Sequence, residues 1–273
     1  MTLDEEYITE FGAYGEADGE FMWPTSVALD SKGYLYLADE WLNRITKFTS
    51  DGEFVSKWGT AGSGDGELSG PAGLAIDSDD NIFIVDAGNS RVQKFSLDGK
   101  YISQFGSKGS DDGQFNMPWG ISLDGEGHVY IADWRNDRIQ KFTADGQWEA
   151  SIGSTGSGIG QLNRPNGVSV DADGDIYVAD WMNNRVQVFA PDGRYITEFH
   201  GEAVLSKWGR DKLASNPDMI RQRSLAFANN PGYEQKLCHP CAVKIDSEGK
   251  IVIIDHTRNR LQIYIKEDEP ALV

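Results

Sequence analysis

The chain has 273 residues, 39% of them hydrophobic, and a formal net charge of −18 at pH 7. This length is enough for one closed domain with a sizeable core, and residues 1–273 are expected to form a single domain. The acidic balance argues against a nucleic-acid partner, because the average field would repel phosphate. No run of residues approaches the ~18 apolar residues of a membrane span, which argues against a membrane partner.

The N-terminal residues Met1–Glu6 are acidic and lack an apolar region. The chain therefore shows no signal peptide, and a cytoplasmic location is the default expectation. Two cysteines are too few for a disulfide framework and leave the redox compartment open. The 31 glycines fall at regular positions, as in an all-β protein that is rich in turns.

The first predicted element in chain order is a strand at Tyr7–Phe11. Its sequence, YITEF, is identical to that of Tyr195–Phe199, which closes a later repeat. A repeated unit then begins at Pro24. The opening proline recurs every 47 residues, and a fifth copy follows after an insertion of about 28 residues. The later copies open at Pro71, Pro118, Pro165 and Pro240.

Each unit contains four short runs that are typical of strands, rich in β-branched and aromatic residues. In the third unit these runs are Gly120–Leu123, His128–Ala132, Arg138–Phe142 and Trp148–Ile152. Asp-Gly pairs such as Asp145-Gly146 favour hairpin turns between them. Such a sheet is too small to bury its faces alone. Repetition at this length predicts an all-β fold, a β-propeller of four-stranded antiparallel blades.

The residues that recur are PxGVxVD, IYVAD and NRVQxF, most clearly at Pro165–Asp171, Ile176–Asp180 and Asn184–Phe189. This pattern resembles the NHL repeat family over nearly all of the chain except about residues 200–237. The better-known members of that family have six blades, whereas five are detected in this sequence.

The two ends of the chain complement each other. Tyr7–Phe11 is an outer strand without three inner strands, and the fifth repeat, which ends in Leu261–Tyr264, lacks an outer strand. We expect the N-terminal strand to join the C-terminal blade and to close the ring, since closure removes an exposed sheet edge. The alternative is that the chain is part of a six-bladed protein whose first repeat ends at Phe11.

Residues 201–237 replace the ordinary connection after the fourth repeat. Asn216-Pro217-Asp218 is a typical helix start, with an N-cap residue, a proline at the first helical position and an acid in the first turn. A second short helix is expected at Val204–Leu213, and Asn229–Gly232 is expected to end the helical region. We expect the insert to lie over one face of the propeller as a lid; the alternative is a helical strut on the rim.

An aspartate ends the second strand of every repeat, and an arginine follows five residues later. A pair present in every blade is expected to be structural, because the carboxylate can accept turn amides and pair with the arginine. The pairs are Asp39 and Arg44, Asp86 and Arg91, Asp133 and Arg138, Asp180 and Arg185, and Asp255 and Arg260.

Positions that differ between repeats are better candidates for function, because loops on a rigid scaffold carry most binding sites. They follow the repeated aspartate or flank the repeated proline, in loops on the same face as the insert. Five of the eight tryptophans fall among them, and the alternative for any single one is packing between blades. The predicted ligand-binding residues are Trp23, Glu40, Trp41, Trp119, Trp134, Arg135, Asn166, Trp181, His239 and His256.

The stretch Cys238-His239-Pro240-Cys241 has the spacing of a metal-binding motif, and His256 is expected nearby on the same blade. A zinc ion requires four ligand atoms, which are nitrogen, sulfur or oxygen. No second CxxC occurs, so buried cysteines without a metal are favoured and no cofactor is predicted. The alternatives are zinc at this motif, a redox-active cysteine pair, or calcium held by carboxylate and amide groups such as Glu40 and Asn166.

These observations favour a non-enzymatic scaffold, expected to be monomeric, that binds a protein, a peptide or a glycan on its tryptophan-rich face. The alternative is a metal-dependent lyase or lactone hydrolase on the same face. NHL-like propellers include the peptidyl-amidoglycolate lyases, which use several metal-binding histidines. This chain has four histidines, and His128 and His200 are predicted to lie away from that face. Motifs such as GxSxG and HExxH are not found.

Overall fold

A computed structural model describes residues 10–202, 214–216, 218, 220–222, 224–225 and 235–266. Within these ranges, none of the helical segments has the length and apolar character needed to cross a membrane.

Almost every described element is a strand. Two short strands, β1 (Ala13–Tyr14) and β2 (Glu20–Phe21), precede blade 1, which contains β3 (Pro24–Leu29), β4 (Leu35–Asp39), β5 (Arg44–Phe48) and β6 (Phe54–Trp58). Blade 2 contains β7 (Pro71–Ile76), β8 (Asn81–Asp86), β9 (Arg91–Ser96) and β10 (Tyr101–Phe105). Blade 3 contains β11 (Pro118–Leu123), β12 (Val129–Asp133), β13 (Arg138–Phe142) and β14 (Trp148–Ile152).

The short strands β15 (Ser154–Thr155) and β16 (Gln161–Leu162) connect blade 3 to blade 4. Blade 4 contains β17 (Pro165–Val170), β18 (Ile176–Asp180), β19 (Arg185–Phe189) and β20 (Tyr195–Phe199). Blade 5 contains β21 (Pro240–Ile245), β22 (Lys250–Asp255) and β23 (Arg260–Ile265). Four 3₁₀ turns link the second and third strands of blades 2 to 5, at Ala87–Asn89, Trp134–Asn136, Trp181–Asn183 and His256–Arg258.

Each blade is an antiparallel meander in which consecutive strands are hydrogen-bonded neighbours. The predicted β-propeller is therefore confirmed. Blades 1 to 4 have four strands, and blade 5 has three within the described residues. The strand predicted to complete blade 5 falls mainly on Tyr7–Thr9, which lies outside the described residues, as does the predicted closure of the ring.

The outer hairpin of each four-stranded blade turns at the Asp-Gly pair that the sequence indicates. The glycines at 52, 99, 146 and 193 have φ between 79° and 85°, where L-amino-acid residues are strained. At Gly146, packing of the preceding blade's outer strand also requires a glycine. A Cβ at Gly146 would lie 2.6 Å from the ring of Phe105, which ends the outer strand of blade 2.

The core lies between adjacent blades, because alternate side chains of each second strand point to opposite neighbours. In β8, Ile82 and Ile84 pack with residues of blade 1, whereas Phe83 and Val85 pack with residues of blade 3. All four side chains are at most 1% exposed. The apolar runs that the sequence shows in these strands therefore reflect burial on both faces.

The repeated aspartate is the centre of a buried hydrogen-bond network. Asp133 accepts the backbone N–H of Asn116 at 2.8 Å and side-chain N–H groups of Asn136, Arg138 and Gln140 at 2.8, 3.1 and 3.1 Å. Burial raises the pKa of Asp133, although these donors favour its charged form. Since these contacts join three segments of one blade, we assign the aspartate and arginine to the scaffold.

Blade 1 departs from this network. Leu42 and Thr46 stand where the other four-stranded blades have asparagine and glutamine. No ion pair between Asp39 and Arg44 is found among the described residues, so the predicted pairing is wrong in this blade. The Nε of Arg44 and the Oγ1 of Thr46 are buried without a hydrogen-bond partner.

The insert is described only in part. Asn216 Oδ1 accepts the N–H of Asp218 at 3.1 Å, and its carbonyl accepts the N–H of Ile220 at 3.3 Å. Residues 218, 220–222 and 224–225 are helical, in agreement with the predicted helix start. The second predicted helix at Val204–Leu213, the predicted stop at Asn229–Gly232 and the lid itself lie outside the described residues.

Candidate functional site

Two sets of loops lie side by side at one end of the blades. The N–H of Arg135, in the turn after β12, donates to the carbonyl of Asn116, which precedes β11, at 3.0 Å. In blade 4, the N–H of Met182 donates to the carbonyl of Asn163 at 3.1 Å. The sets that vary between repeats therefore share one surface, which we call the top face.

A cleft of about 200 Å³ opens on the top face over blades 3 and 4. Its lining residues are Met117, Trp119, Trp134, Asn166 and Trp181. Blade 3 contributes Met117 and Trp119 from the start of its inner strand and Trp134 from the turn after its second strand. Blade 4 contributes Asn166 from its inner strand and Trp181 from its turn. The cleft is thus built from loops of two blades that are held by the same core.

Aromatic rings form the wall of the cleft. The Trp134 and Trp181 ring centroids are 6.2 Å apart with an interplanar angle of 47°. Beyond them, the imidazole of His239 lies 4.9 Å from Trp181, tilted by 40°. Trp119 also packs against the core between blades 2 and 3, so this indole serves the scaffold as well as the cleft.

Two polar side-chain atoms in this region are buried without a hydrogen-bond partner: Oδ1 of Asn166, which lines the cleft, and Nη1 of Arg164, which does not line it but belongs to a guanidinium beside Trp134. The guanidinium carbon of Arg164 lies 4.6 Å from the ring centroid of Trp134, and that of Arg135 lies 5.6 Å from it. An unpaired buried donor or acceptor is costly, by about 1–3 kcal/mol. Oδ1 of Asn166 is therefore an unsatisfied acceptor beside the cleft.

The backbone around the cleft is strained. Met117, Arg164 and His239 directly precede the repeated proline and have φ of 52°, 56° and 54°. Blade 2 uses Gly70 at the same position, with φ of 59° and no steric penalty. Non-glycine residues in this region cost on the order of 1 kcal/mol or more, and such outliers cluster at functional sites. Because the same left-handed backbone recurs in blades 2 to 5, we assign it to the repeat, and only the side chains at this position distinguish the blades.

Several predicted residues lie outside the cleft. Trp23 and Trp41, both in blade 1, are 63% and 68% exposed and do not line it. Glu40 lies between them in blade 1, and desolvation, followed by the charge of Asp39, raises the pKa of its carboxyl. His256 is exposed in the turn of blade 5. These four residues lie on the top face but away from the cleft, and their role as ligand contacts stays a prediction.

The cysteine motif is described in full. Sγ of Cys238 lies 3.9 Å from Nδ1 of His239, and that nitrogen is 2.9 Å from Oγ1 of Thr257. Both cysteines are free thiols, and burial raises the pKa of Cys241. Over the described ranges, no three His, Cys, Asp or Glu side chains converge closely enough to hold a metal ion.

Three further side chains stand near the cleft or between the inner strands and are not among the predicted ligand-binding residues. Met117 and Arg164 belong to the positions that flank the repeated proline and differ from blade to blade. Lys244 was recognisable from the sequence, since the other inner strands have alanine or serine at its position. Its amine reaches from blade 5 to the carbonyl of Ile121 in blade 3, at 3.5 Å, and so lies in the central channel.

Comparisons with known proteins agree with this architecture. The family model of the NHL repeat matches residues 115–142 and 162–189, and a model described as a 6-bladed beta-propeller matches residues 29–106. A search of curated protein sequences finds no match.

Solved structures are similar in fold. Virginiamycin B lyase from Staphylococcus aureus aligns with a TM-score of 0.57 at 14% identity, covering 89% of this chain and 70% of that one. A streptogramin B lyase aligns with a TM-score of 0.56 at 16% identity, covering 90% and 70%. A chain of a nidogen–laminin complex aligns with a TM-score of 0.57 at 18% identity, covering 89% and 80%. The chain is a β-propeller that contains NHL repeats at residues 115–142 and 162–189.

Proposed function

We propose that this protein is a binding scaffold whose top-face cleft takes an extended segment of a peptide or protein. The observation that carries the proposal is the cleft itself. It combines the three indoles of Trp119, Trp134 and Trp181 with the unpaired acceptor of Asn166, and the guanidinium of Arg164, which has an unpaired donor, lies beside Trp134. Aromatic side chains supply large contact areas, and a few polar groups fix orientation.

The polar pair favours a peptide group as the ligand. Arg164 can donate to a carbonyl through Nη1, and Asn166 can accept an N–H through Oδ1. A peptide backbone offers both groups in fixed geometry, and an apolar side chain can enter between the indoles. A saccharide carries many hydroxyl groups and is less suitable, because apart from the indoles Asn166 is the one hydrogen-bonding side chain that lines the cleft, with Arg164 beside it.

Charge argues for a neutral or acidic segment. Arg135 and Arg164 both stand over the Trp134 ring, so a cationic ligand would face two guanidinium groups there. The similarity to lyases does not alter the choice, because it concerns the fold and extends equally to nidogen. The proposal therefore depends on the cleft alone.

The test begins with a displayed library of linear peptides, from which binders to the protein are selected. The affinity of one synthetic binder is then measured by titration calorimetry for the parent and for Trp134→Ala, Trp181→Ala. Truncation of interface tryptophans often costs ~2 kcal/mol or more. We expect the double variant to bind more than tenfold more weakly, which corresponds to about 1.4 kcal/mol.

The matched control is Trp148→Ala, which removes an indole that is 39% exposed on the outer strand of blade 3. This variant is expected to keep the parent affinity. A selected peptide that binds the double variant as tightly as the parent would refute the role of the cleft. Recovery of no peptide, together with binding of saccharides on a glycan array, would refute the ligand class.

A further inference from the structure

Blade 5 places a lysine where the other blades have small side chains. Lys244 is the fifth residue of β21, the inner strand of blade 5. Small neighbours leave space for a long side chain at this level of the inner strands. The lysine is therefore a property of this blade and not of the repeat. At this position the inner strands of blades 1 to 4 have Ala28, Ala75, Ser122 and Ser169.

The side chain of Lys244 enters the central channel, the space between the inner strands. Its Nζ lies 3.5 Å from the carbonyl oxygen of Ile121, in the inner strand of blade 3. Blade 4 packs against blade 3 on one side and against blade 5 on the other. A side chain that connects the inner strands of blades 3 and 5 must therefore pass through the channel, and it remains exposed there.

The hydrogen bonding of this amine is incomplete. An ammonium group has three donors, and the contact to Ile121 is longer than the roughly 2.7–3.2 Å of ordinary N–H···O bonds. Over the described ranges, Lys244 forms no ion pair with a carboxylate, whereas Lys94 binds Asp77 at 2.9 Å. The chain has 43 acidic and 25 basic residues, so a lysine without an acidic partner is a distinctive arrangement.

The amine lies close to the cleft. Trp119 lines the cleft and comes two residues before Ile121 in β11. A strand rises about 3.3 Å per residue, so the carbonyl that Lys244 contacts lies roughly 7 Å deeper along the strand than Trp119. Asn166 lines the same cleft from β17, in the blade between β11 and β21. A ligand held between the indoles would therefore need only one further group to reach the amine.

The cations around the cleft lack counterions. The guanidinium carbons of Arg135 and Arg164 lie 5.6 and 4.6 Å from the ring centroid of Trp134. Neither arginine forms an ion pair within the part of the chain that the structure describes. Desolvation lowers the pKa of Lys244, as expected for an amine that no nearby anion stabilises. An anionic group on the ligand would supply the missing charge.

We propose that Lys244 forms an anion subsite below the cleft and binds a carboxylate of the peptide segment. This inference rests on the proposed function of the cleft and names the group that would fix the orientation of the segment. An acidic side chain and a free C-terminus present the same two oxygens, so either can be the source of the carboxylate. Hydrogen bonds from an ammonium to a carboxylate are shorter and stronger than neutral ones, so they would replace the long contact to Ile121.

The first measurement requires no selected peptide. The protein is prepared with lysine carrying ¹³C at Cε, and the signal of Lys244 is assigned by its absence in Lys244→Met. The probe is N-acetyl-tryptophan, which joins an indole to a carboxylate, and its neutral amide is the control. We expect the carboxylate form alone to shift the Lys244 signal and to raise the pKa of its amine, because an adjacent anion favours the charged form.

The second measurement uses the peptide selected on the parent protein. It is synthesised as the C-terminal acid, as the C-terminal amide, and with its acidic side chains replaced by amides. One of the two neutral forms should bind the parent about tenfold more weakly or worse, as for loss of one partner of a hydrogen-bonded charge pair. That form identifies the source of the carboxylate. Lys244→Met should weaken the original peptide by the same factor and should leave the affinity of the weakened form unchanged.

Two variants control for charge and folding. Lys32→Met removes a lysine from an exposed turn and is expected to keep the parent affinity. Lys244→Arg keeps the cation in the channel and is expected to retain most of the affinity that Lys244→Met loses. Thermal melting of each variant confirms that it is folded.

Several results would overturn the subsite. A peptide that Trp134→Ala, Trp181→Ala no longer binds, but that Lys244→Met binds as the parent does, would refute the subsite and leave the cleft as the binding site. Equal affinity of all three peptide forms would also refute it. If no peptide is recovered, the titration decides alone: the subsite is wrong if the signal does not move, or if the amide or sodium chloride at equal ionic strength moves it as far.

Discussion

Single substitutions within the inner strands give the blades their individual properties. At the fifth position of these strands, four blades have alanine or serine, and blade 5 has Lys244. The amine contacts the carbonyl of Ile121 at 3.5 Å, on the inner strand of blade 3, while the side chain as a whole is exposed. Desolvation of the amine lowers the pKa of Lys244.

The lowered pKa has a defined effect on stability. Between the folded pKa of Lys244 and its unfolded value near 10.4, the unfolded state binds more protons, so the free energy of unfolding rises with pH. Below the folded pKa the full penalty is present. Lys244→Met should therefore raise the melting temperature at pH 7 by roughly 1–3 °C and flatten its rise at alkaline pH.

This prediction is checked by calorimetry from pH 7 to 10, with Lys32→Met as the control at an exposed turn. A lower melting temperature for Lys244→Met at pH 7 would show that the amine stabilises the fold.

At the residue scale, the sequence singled out positions at which one repeat differs from the others, and their role as ligand contacts stays a prediction. Trp119, Trp134 and Trp181 stood out in this way, and the structure places them around one cleft. The sequence could not show that Trp23 and Trp41 stay outside it, because their distance from the cleft depends on the arrangement of the blades. The left-handed backbone of Arg164 was also unpredictable, since a residue before proline normally avoids helical conformations.

At the scale of the element, blade 1 is the imperfect copy. In blade 2, Gln93 accepts the N–H of Gly66 at 2.9 Å and donates to Glu67 and Asp86 at 2.7 and 3.1 Å. Thr46 is too short to make these bonds in blade 1, and its hydroxyl is left unpaired. The strands and turns of this blade were predictable from their alternation and their Asp-Gly pair, whereas the missing network follows only from comparing the repeats.

Restoring the repeat pattern should stabilise blade 1. Thr46→Gln, combined with Leu42→Asn, supplies the amide groups that the other four-stranded blades use. Each net hydrogen bond contributes roughly 0.5–1.5 kcal/mol, so we expect the free energy of unfolding to rise by about 1–2 kcal/mol. Urea denaturation measures this change. Thr46→Leu is the control, because it fills space without pairing, and an equal gain for that variant would show that packing alone is responsible.

At the scale of the molecule, the described residues form an arc of five blades. The two end blades expose apolar side chains that the three middle blades bury. The sequence predicted the number of repeats, because the proline period is regular. It could not show that Val27 is exposed, since this residue has the same apolar type as its buried equivalents. Burial at this position depends on whether a neighbouring blade is present, and local sequence carries no record of that.

The arc predicts a gradient of local stability. Stacked units are stabilised by their own folding and by the interfaces with their neighbours. Blades 2 to 4 have an interface on each side, whereas blades 1 and 5 each have one among the described residues. Amides of β8, β12 and β18 should therefore exchange most slowly with solvent, and those of β4 and β22 roughly tenfold faster or more, if the missing interface is worth at least 1.4 kcal/mol.

Hydrogen exchange measured by mass spectrometry tests this gradient on the unaltered chain. Peptides covering the second strand of each blade provide the comparison, because these strands have the same length to within one residue and similar sequences. Equal protection in all five blades would mean that the outer faces of blades 1 and 5 are covered in solution. Fast exchange confined to β22 and β4 would instead show that each end of the arc opens separately, with the three central blades as the stable unit.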